Sequence, residues 1–296
     1  MAPAFFDLSA RAKLRVIGAD RIRFLNGQTT NDVRRAGAEA TQESCVLNAK
    51  GHLDAHLFLF ATPNDIWIDA DQELRERLQA RLERYVIADD VTIEDATDQF
   101  TLFQVLGEPK PKISGAKFCV CSRRLGIDGW DIWVESAGAE KTRSILAADY
   151  RAMDESKWEV LRIENGIPRW GRELTPEIIP PEANLAARAI DYEKGCYIGQ
   201  EVISRMKMSG QMRQRLRGVV SLTDAGLKPA TNLAAGEKFV GQIKSSAFSE
   251  RLNTEIGLAM IKRNYNEPGM QLMAGSALVQ VVSLPFHSGD AGDEGV

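Results

Sequence analysis

A chain of 296 residues, 44% hydrophobic and 26% charged, has the composition of an ordinary soluble globular protein with room for two domains. A net charge of −4 excludes a global pull towards nucleic acid or an anionic membrane, and four scattered cysteines exclude a disulfide framework. No run approaches the roughly 18 apolar residues of a membrane span, no signal-peptide pattern opens the sequence, and neither a zinc spacing nor a phosphate loop occurs.

Residues 13–18 (KLRVIG) alternate as a short strand, and Asp20 stands where a helix N-cap would, ahead of Ile22, Phe24 and Leu25. GQTTNDV follows as a polar turn in which Thr30 and Asn31 can cap locally. Residues 44–60 (SCVLNAKGHLDAHLFLF) read as a hairpin that turns at Asn48–Gly51. On its return arm His52, Asp54 and His56 share one face and Leu53, Ala55, Leu57 and Leu59 the other. The three polar groups spread over about 13 Å, too far for one ion, so no metal site is expected.

Asp65-Ile66-Trp67 precedes an amphipathic helix carrying Leu74, Leu78, Leu82, Tyr85 and Val86. Asp131-Ile132-Trp133, 66 residues later (131 against 65), precedes a second helix with Ile145 and Leu146. This predicts two related α+β units, each a small antiparallel sheet backed by helices. Between them, KFCVCS is a strand whose Cys119 and Cys121 point the same way. The thiols read as reduced and the compartment as cytoplasmic.

Residues 154–190 form a bridge. Ser156-x-x-Glu159 has the form of a capping box, Gly166 suits a helix C-cap, and Pro176, Pro180 and Pro181 predict an extended wrap along the surface. KGCYIGQE (194–201) then places Gly195 and Gly199 about a cysteine and a tyrosine, so the backbone must bend tightly or approach something closely. Arg205, Lys207, Arg213, Arg215 and Arg217 follow with no acidic residue between 205 and 217, a local basic stretch that could meet an anion. It lacks aromatic residues for base stacking, so direct nucleic-acid binding is not expected. From about Arg213, short apolar runs with glycine turns predict a small all-β domain, and the residues after Pro285 read as a disordered acidic tail.

KGCYIGQE with Arg205, Gly210 and Arg215-Leu216 resembles the signature of the YgfZ family of folate-binding proteins, relatives of the glycine cleavage T-protein that support iron–sulfur enzymes and tRNA modification. Phe24-Leu25 with Thr30-Asn31-Asp32, and Arg162-Ile163-Glu164-x-Gly166-x-Pro168, agree with it in order and spacing. The resemblance implies an α+β fold: a two-lobed T-protein-like folate-binding body over 1–212, a β-barrel over 213–285 and a tail over 286–296. Tetrahydrofolate, or a one-carbon derivative, would lie between the lobes. Glu164 would accept the amidine-like N–H pair of the pterin, with Arg162, Lys194, Tyr197 and Asn31 completing the binding set. Cys196 would be the reactive thiol, drawn towards thiolate by Lys194.

The aminomethyltransferases carry adjacent aspartates after the hairpin turn. Ala55 and His56 stand at those positions here, so Asp54 or His56 would have to act as acid/base. The implied function is therefore an accessory one, serving iron–sulfur client enzymes, including those that thiolate tRNA. A folate-dependent aminomethyl- or methyltransferase, and a non-catalytic interaction protein with a vestigial pocket, stand as alternatives.

Overall fold

In the computed structural model, which describes residues 3–223 and 225–287, the chain divides into two compact units. The first holds the described residues up to 154 together with 186–205; the second holds 155–185 together with the described residues from 206 onward. Its strands are β1 (Ala4–Asp7), β2 (Ala12–Ile17), β3 (Gln42–Leu47), β4 (Leu53–Ala61), β5 (Ile66–Ala70), β6 (Thr92–Asp95), β7 (Phe100–Leu106), β8 (Phe118–Ser122), β9 (Gly129–Glu135) and β10 (Arg151–Ala152), followed by the barrel strands β11 (Gln214–Ser221), β12 (Asn232–Ala235), β13 (Lys238–Ser249), β14 (Thr254–Lys262), β15 (Gln271–Ala274) and β16 (Ala277–Val282). The helices are α1 (Arg21–Gln28), α2 (Arg75–Glu83), α3 (Ala139–Asp149), α4 (Glu155–Glu164), α5 (Ala186–Ala189) and α6 (Gln200–Ser209).

The first unit contains two five-stranded sheets, ordered β3-β4-β5-β2-β6 and β10-β1-β7-β9-β8. The D-I-W repeat is real in space. β5 lies between β4 and β2, β9 lies between β8 and β7, and each is followed by a helix, α2 or α3. Trp67 and Trp133 meet edge to face with centroids 5.8 Å apart, inside one cluster with Phe60, Phe100, Leu102 and Val120. Leu78 and Leu82, four residues apart on α2, are its buried stripe. Between the sheets Arg124, 4% exposed, donates to both carboxylate oxygens of Asp69 on β5 and of Asp131 on β9.

In the second unit six strands close a barrel in the order β11-β14-β13-β12-β15-β16, with β11 pairing β16. Val219, Leu233, Val240, Ile243, Ile261, Val279 and Val281 fill its interior. α4 packs on β13 and β14, which is why residues 155–185 group with the barrel and not with a body running to residue 212. α4 begins at Glu155, so Ser156 sits inside its first turn, and Glu159 turns to Arg162 instead of closing a capping box. Gly166 does end the helix, at φ +67°, with Ile167 N–H returning to the Arg162 carbonyl.

Two other expectations change. Pro180 and Pro181 open a short 3-10 turn, and Ala186–Ala189 is helical, in place of an extended wrap; proline's fixed φ suits a first helical turn as well as an extended chain. Phe286, expected in the tail, is 3% exposed and its N–H donates to the Glu164 carbonyl. His287 is also described, and exposed; residues 288–296 of the expected tail lie outside the described residues.

Candidate functional site

KGCYIGQE runs as an irregular loop into α6, fixed at three points within the first unit. Lys194, 5% exposed, turns its ammonium inward to the carbonyls of Asn26, Thr29 and Asn31 at 2.7, 2.6 and 2.8 Å. An ammonium has three N–H groups, so all three are engaged with the turn that follows α1. Burial pulls its pKa down to about 8, with Asp32 and Asp191 opposing. Tyr197, 8% exposed, sets its ring 5.1 Å from the same nitrogen, and burial pushes its phenol pKa up. Gly199, at φ +85°, lies against the hairpin turn, where Asn48 accepts from Gly51 N–H.

Cys196 is exposed, and all four cysteines are free. Lys194 therefore does not serve the thiol as the sequence suggested: its donors point the other way. Tyr197 and Lys194 hold the loop from beneath. Gly195 has open space around it, so only Gly199 of the two glycines answers a close approach.

Asp54 and His56 enter separate networks. A register shift opposite Val46 and Leu47 makes the start of β4 bulge, and Asp54 pairs with Arg81 at 2.8 Å; Arg81 also donates to Gln28 and to the Leu47 carbonyl. His56, 4% exposed, meets Glu43 Oε1 at 2.7 Å, and Arg188 donates to the same oxygen at 2.7 Å. Burial pushes the Glu43 carboxyl up, but Arg188 and then His56 outweigh it and hold it below its ordinary value. Asn31 is tied by its amide to the carbonyls of Glu43 and Arg188.

Glu43, Arg188 and Asn31 line a cleft of about 770 Å³ in the first unit, with Phe58 and Cys121 also on its wall. Its rim joins the two sheets, since Thr41 N–H donates to Cys121 O and Cys121 N–H to Glu39 O, each at 2.8 Å. Arg124 stacks 4.2 Å from the Phe58 ring. Three buried polar atoms on the cleft residues, Gln42 Oε1, Ser122 Oγ and Arg188 Nε, have no hydrogen-bond partner among the described residues. Sequence reasoning missed Glu43, Gln42, Phe58 and Arg188. The Glu43–Arg188 contact joins residues 145 apart and leaves no local pattern.

Arg162 and Glu164 belong to the second unit. Arg162 is 0% exposed and its donors go to Glu159, Glu173, Ser245 and the Ile167 carbonyl. No face of it is open to a ligand, so its expected place in the binding set gives way to a structural one. Glu164 accepts from Ser249 Oγ at 2.5 Å and from Arg251 Nε at 3.2 Å. A pterin would have to displace those donors.

Residues 214–287 match the family model of the glycine cleavage T-protein C-terminal barrel domain. The chain is 28% identical over 272 residues to the mitochondrial iron-sulfur cluster assembly factor IBA57 of Mus musculus, covering 80% of this chain and 74% of that one. It is 24% identical over 312 residues to an aminomethyltransferase of Listeria innocua, covering 95% and 86%. Among solved structures, the glycine cleavage system aminomethyltransferase T from Bartonella henselae superposes with a TM-score of 0.85 at 16% identity, over 97% of this chain and 87% of that one, a likeness of fold. No helix among the described residues is long and apolar enough to cross a membrane.

Proposed function

This chain belongs to the YgfZ family, allied to the glycine cleavage T-protein, and from that premise we propose that it is a tetrahydrofolate-binding accessory protein for the assembly or repair of iron–sulfur enzymes, those that thiolate tRNA included. The iron–sulfur part is supported by the relative named as an assembly factor and by Cys196, an exposed thiol on a loop fixed from beneath. One soft ligand cannot hold a cluster by itself, so Cys196 serves as a transient ligand or nucleophile towards a client. Cytoplasmic placement, with reduced thiols, is part of this reading.

The observation that carries the folate part is the cleft of the first unit. It has the volume of a small-molecule site, one buried carboxylate, Glu43, beside the exposed Glu39, and buried polar atoms without partners among the described residues, Gln42 Oε1 and Arg188 Nε among them. Such atoms cost free energy unless something binds them. A pterin presents donors and acceptors on one edge, and Glu43 with Gln42 can accept while Arg188 donates. In this reading Asn31 fixes the cleft wall and Glu43, not Glu164, orients the ring. Bound tetrahydrofolate would supply one-carbon chemistry; the chain's own part is to bind and orient it. Aminomethyl transfer is disfavoured because Asp54 is engaged in an ion pair with Arg81 and His56 in a separate hydrogen bond with Glu43.

Anaerobic calorimetric titration of tetrahydrofolate tests this. Glu43→Gln should weaken binding by about tenfold or more, 1.4 kcal/mol, and Glu164→Gln by no more than about twofold. The reverse pattern would return the pterin to Glu164, and no binding to wild type would leave the cleft vestigial. Cys196→Ala should abolish support of iron–sulfur enzymes in cells while folate affinity stays within a few-fold; full retained support would sink the role of the thiol.

A further inference from the structure

The barrel carries arginines on the face that holds its core. β11 and β14 run antiparallel with Arg215 opposite Ile261, Arg217 opposite Ala259 and Val219 opposite Gly257. Directly opposed residues share a sheet face, and Val219, Ala259 and Ile261 belong to the apolar interior. Arg215 and Arg217 therefore face inward, near the start of β11, where the barrel opens. The sequence shows this stretch only as a local basic one that could meet an anion; the register places two of its arginines in a mouth.

They line a recess of about 440 Å³ with Arg263, Asn266 and Glu267. Arg217 Nε donates to the Asn266 carbonyl at 2.7 Å and Arg215 Nε to Asn184 Oδ1 at 3.0 Å. Both contacts use only the Nε of a group with five N–H donors. Among the described residues, no carboxylate lies within ion-pair distance of Arg215, Arg217 or Arg263. Burial first, and Arg215 beside it, hold the Arg217 pKa below its ordinary value, with Glu267 opposing. Three guanidinium groups and one carboxylate leave an excess of positive charge in a half-buried concavity. That arrangement costs free energy until an anion enters.

We propose that the barrel mouth binds a small phosphorylated ligand, its diphosphate or phosphate group held by Arg215, Arg217 and Arg263. Guanidinium forks match phosphate oxygens in pairs. A phosphate or diphosphate carries enough charge to offset the excess, where a single carboxylate does not. A concave recess without aromatic walls suits a small ligand better than a nucleic-acid strand, which tracks grooves by stacking and backbone contact. Mouths of β-barrels are a recurrent place for such sites. The inference is independent of the folate reading, which concerns the other unit.

The test is calorimetric titration of inorganic pyrophosphate into the full chain at low salt. Wild type should bind saturably at one site. Arg215→Gln and Arg217→Gln should each weaken binding by about tenfold or more. Arg263→Gln, at an exposed position, should weaken it several-fold with an unchanged melting temperature, which keeps the result readable if an inward variant misfolds. Arg205→Gln, in the same basic stretch but outside the recess, should stay within about twofold. No saturable binding by wild type, or an equal loss in Arg205→Gln, would overturn the site. Equally tight binding of tri-glutamate would overturn the phosphate assignment. Tighter binding of a short single-stranded RNA with the same arginine dependence would replace the small ligand with nucleic acid.

Discussion

A side chain at Gly199 would place its Cβ 2.6 Å from the Asn48 carbonyl oxygen, at a φ of +85°. Both the backbone conformation and the contact exclude it, and the obstacle is main chain that cannot swing away. Gly199→Ala should therefore cost about 2 kcal/mol or more, while Gly195→Ala, with open space around it, should fall within about 0.5 kcal/mol of wild type. Chemical denaturation of the two variants checks this, and equal stabilities would remove the close approach from the account of the loop. Glu43 makes a second residue-scale prediction. Its carboxyl is held below its ordinary 4.5 when folded, so in acid the unfolded chain binds the proton more readily and protonation favours unfolding. The stabilisation is fully present above 4.5 and is lost as pH falls through the depressed value. Wild type should exceed Glu43→Gln by roughly 1–3 kcal/mol at about pH 7, and the difference should shrink as the pH falls below 4.5. A difference independent of pH would show that Glu43 acts through packing and not through its charge.

The two sheets of the first unit are joined by an apolar and an ionic device. Trp67 and Trp133 bring the repeats together in one cluster, and Arg124 binds Asp69 and Asp131, which are 2% and 0% exposed. Removing a partner from a buried pair leaves a desolvated charge, so Arg124→Met should cost about 3–5 kcal/mol. Adding Asp131→Asn to that variant should recover part of the loss, where the same change in wild type destabilises; additive effects would deny the coupling. The D-I-W elements were legible in the sequence because strand alternation, helix periodicity and tight turns are local signals. The hairpin at Asn48–Gly51, the α2 stripe and the barrel strands could be read for that reason. Arg124 could not, since nothing within a turn of chain announces that a loop arginine will meet aspartates from two sheets. Glu164 is the opposite case. Its motif matched a family pattern, yet Ser249 and Arg251, more than 80 residues on, engage its carboxylate. Register, too, is a long-range property, and it alone places Arg215 and Arg217 of the basic stretch on the inward face.

At the scale of the whole molecule the second unit is discontinuous in sequence. Its barrel strands begin at Gln214, but α4, formed more than 50 residues earlier, packs on β13 and β14. Arg162 donates to Ser245, and Glu164 accepts from Ser249 and Arg251 while its carbonyl receives Phe286 N–H. Cutting the chain at the sequence boundary would strip the barrel of these partners and uncover the surface of β13 and β14 on which α4 packs. Arg162 also holds Glu159 and Glu173 in place, so the helix and the strands stabilise each other and neither is complete alone. A fragment of residues 213–287 should therefore lack a cooperative thermal transition by circular dichroism and should bind a hydrophobic dye. A peptide of residues 155–185, added in excess, should restore the transition by mass action, by about 2.7 kcal/mol at a hundredfold excess over its dissociation constant. If the fragment melts cooperatively without the peptide, the barrel is a unit by itself, and the earlier segment is an attachment to it and not part of its core.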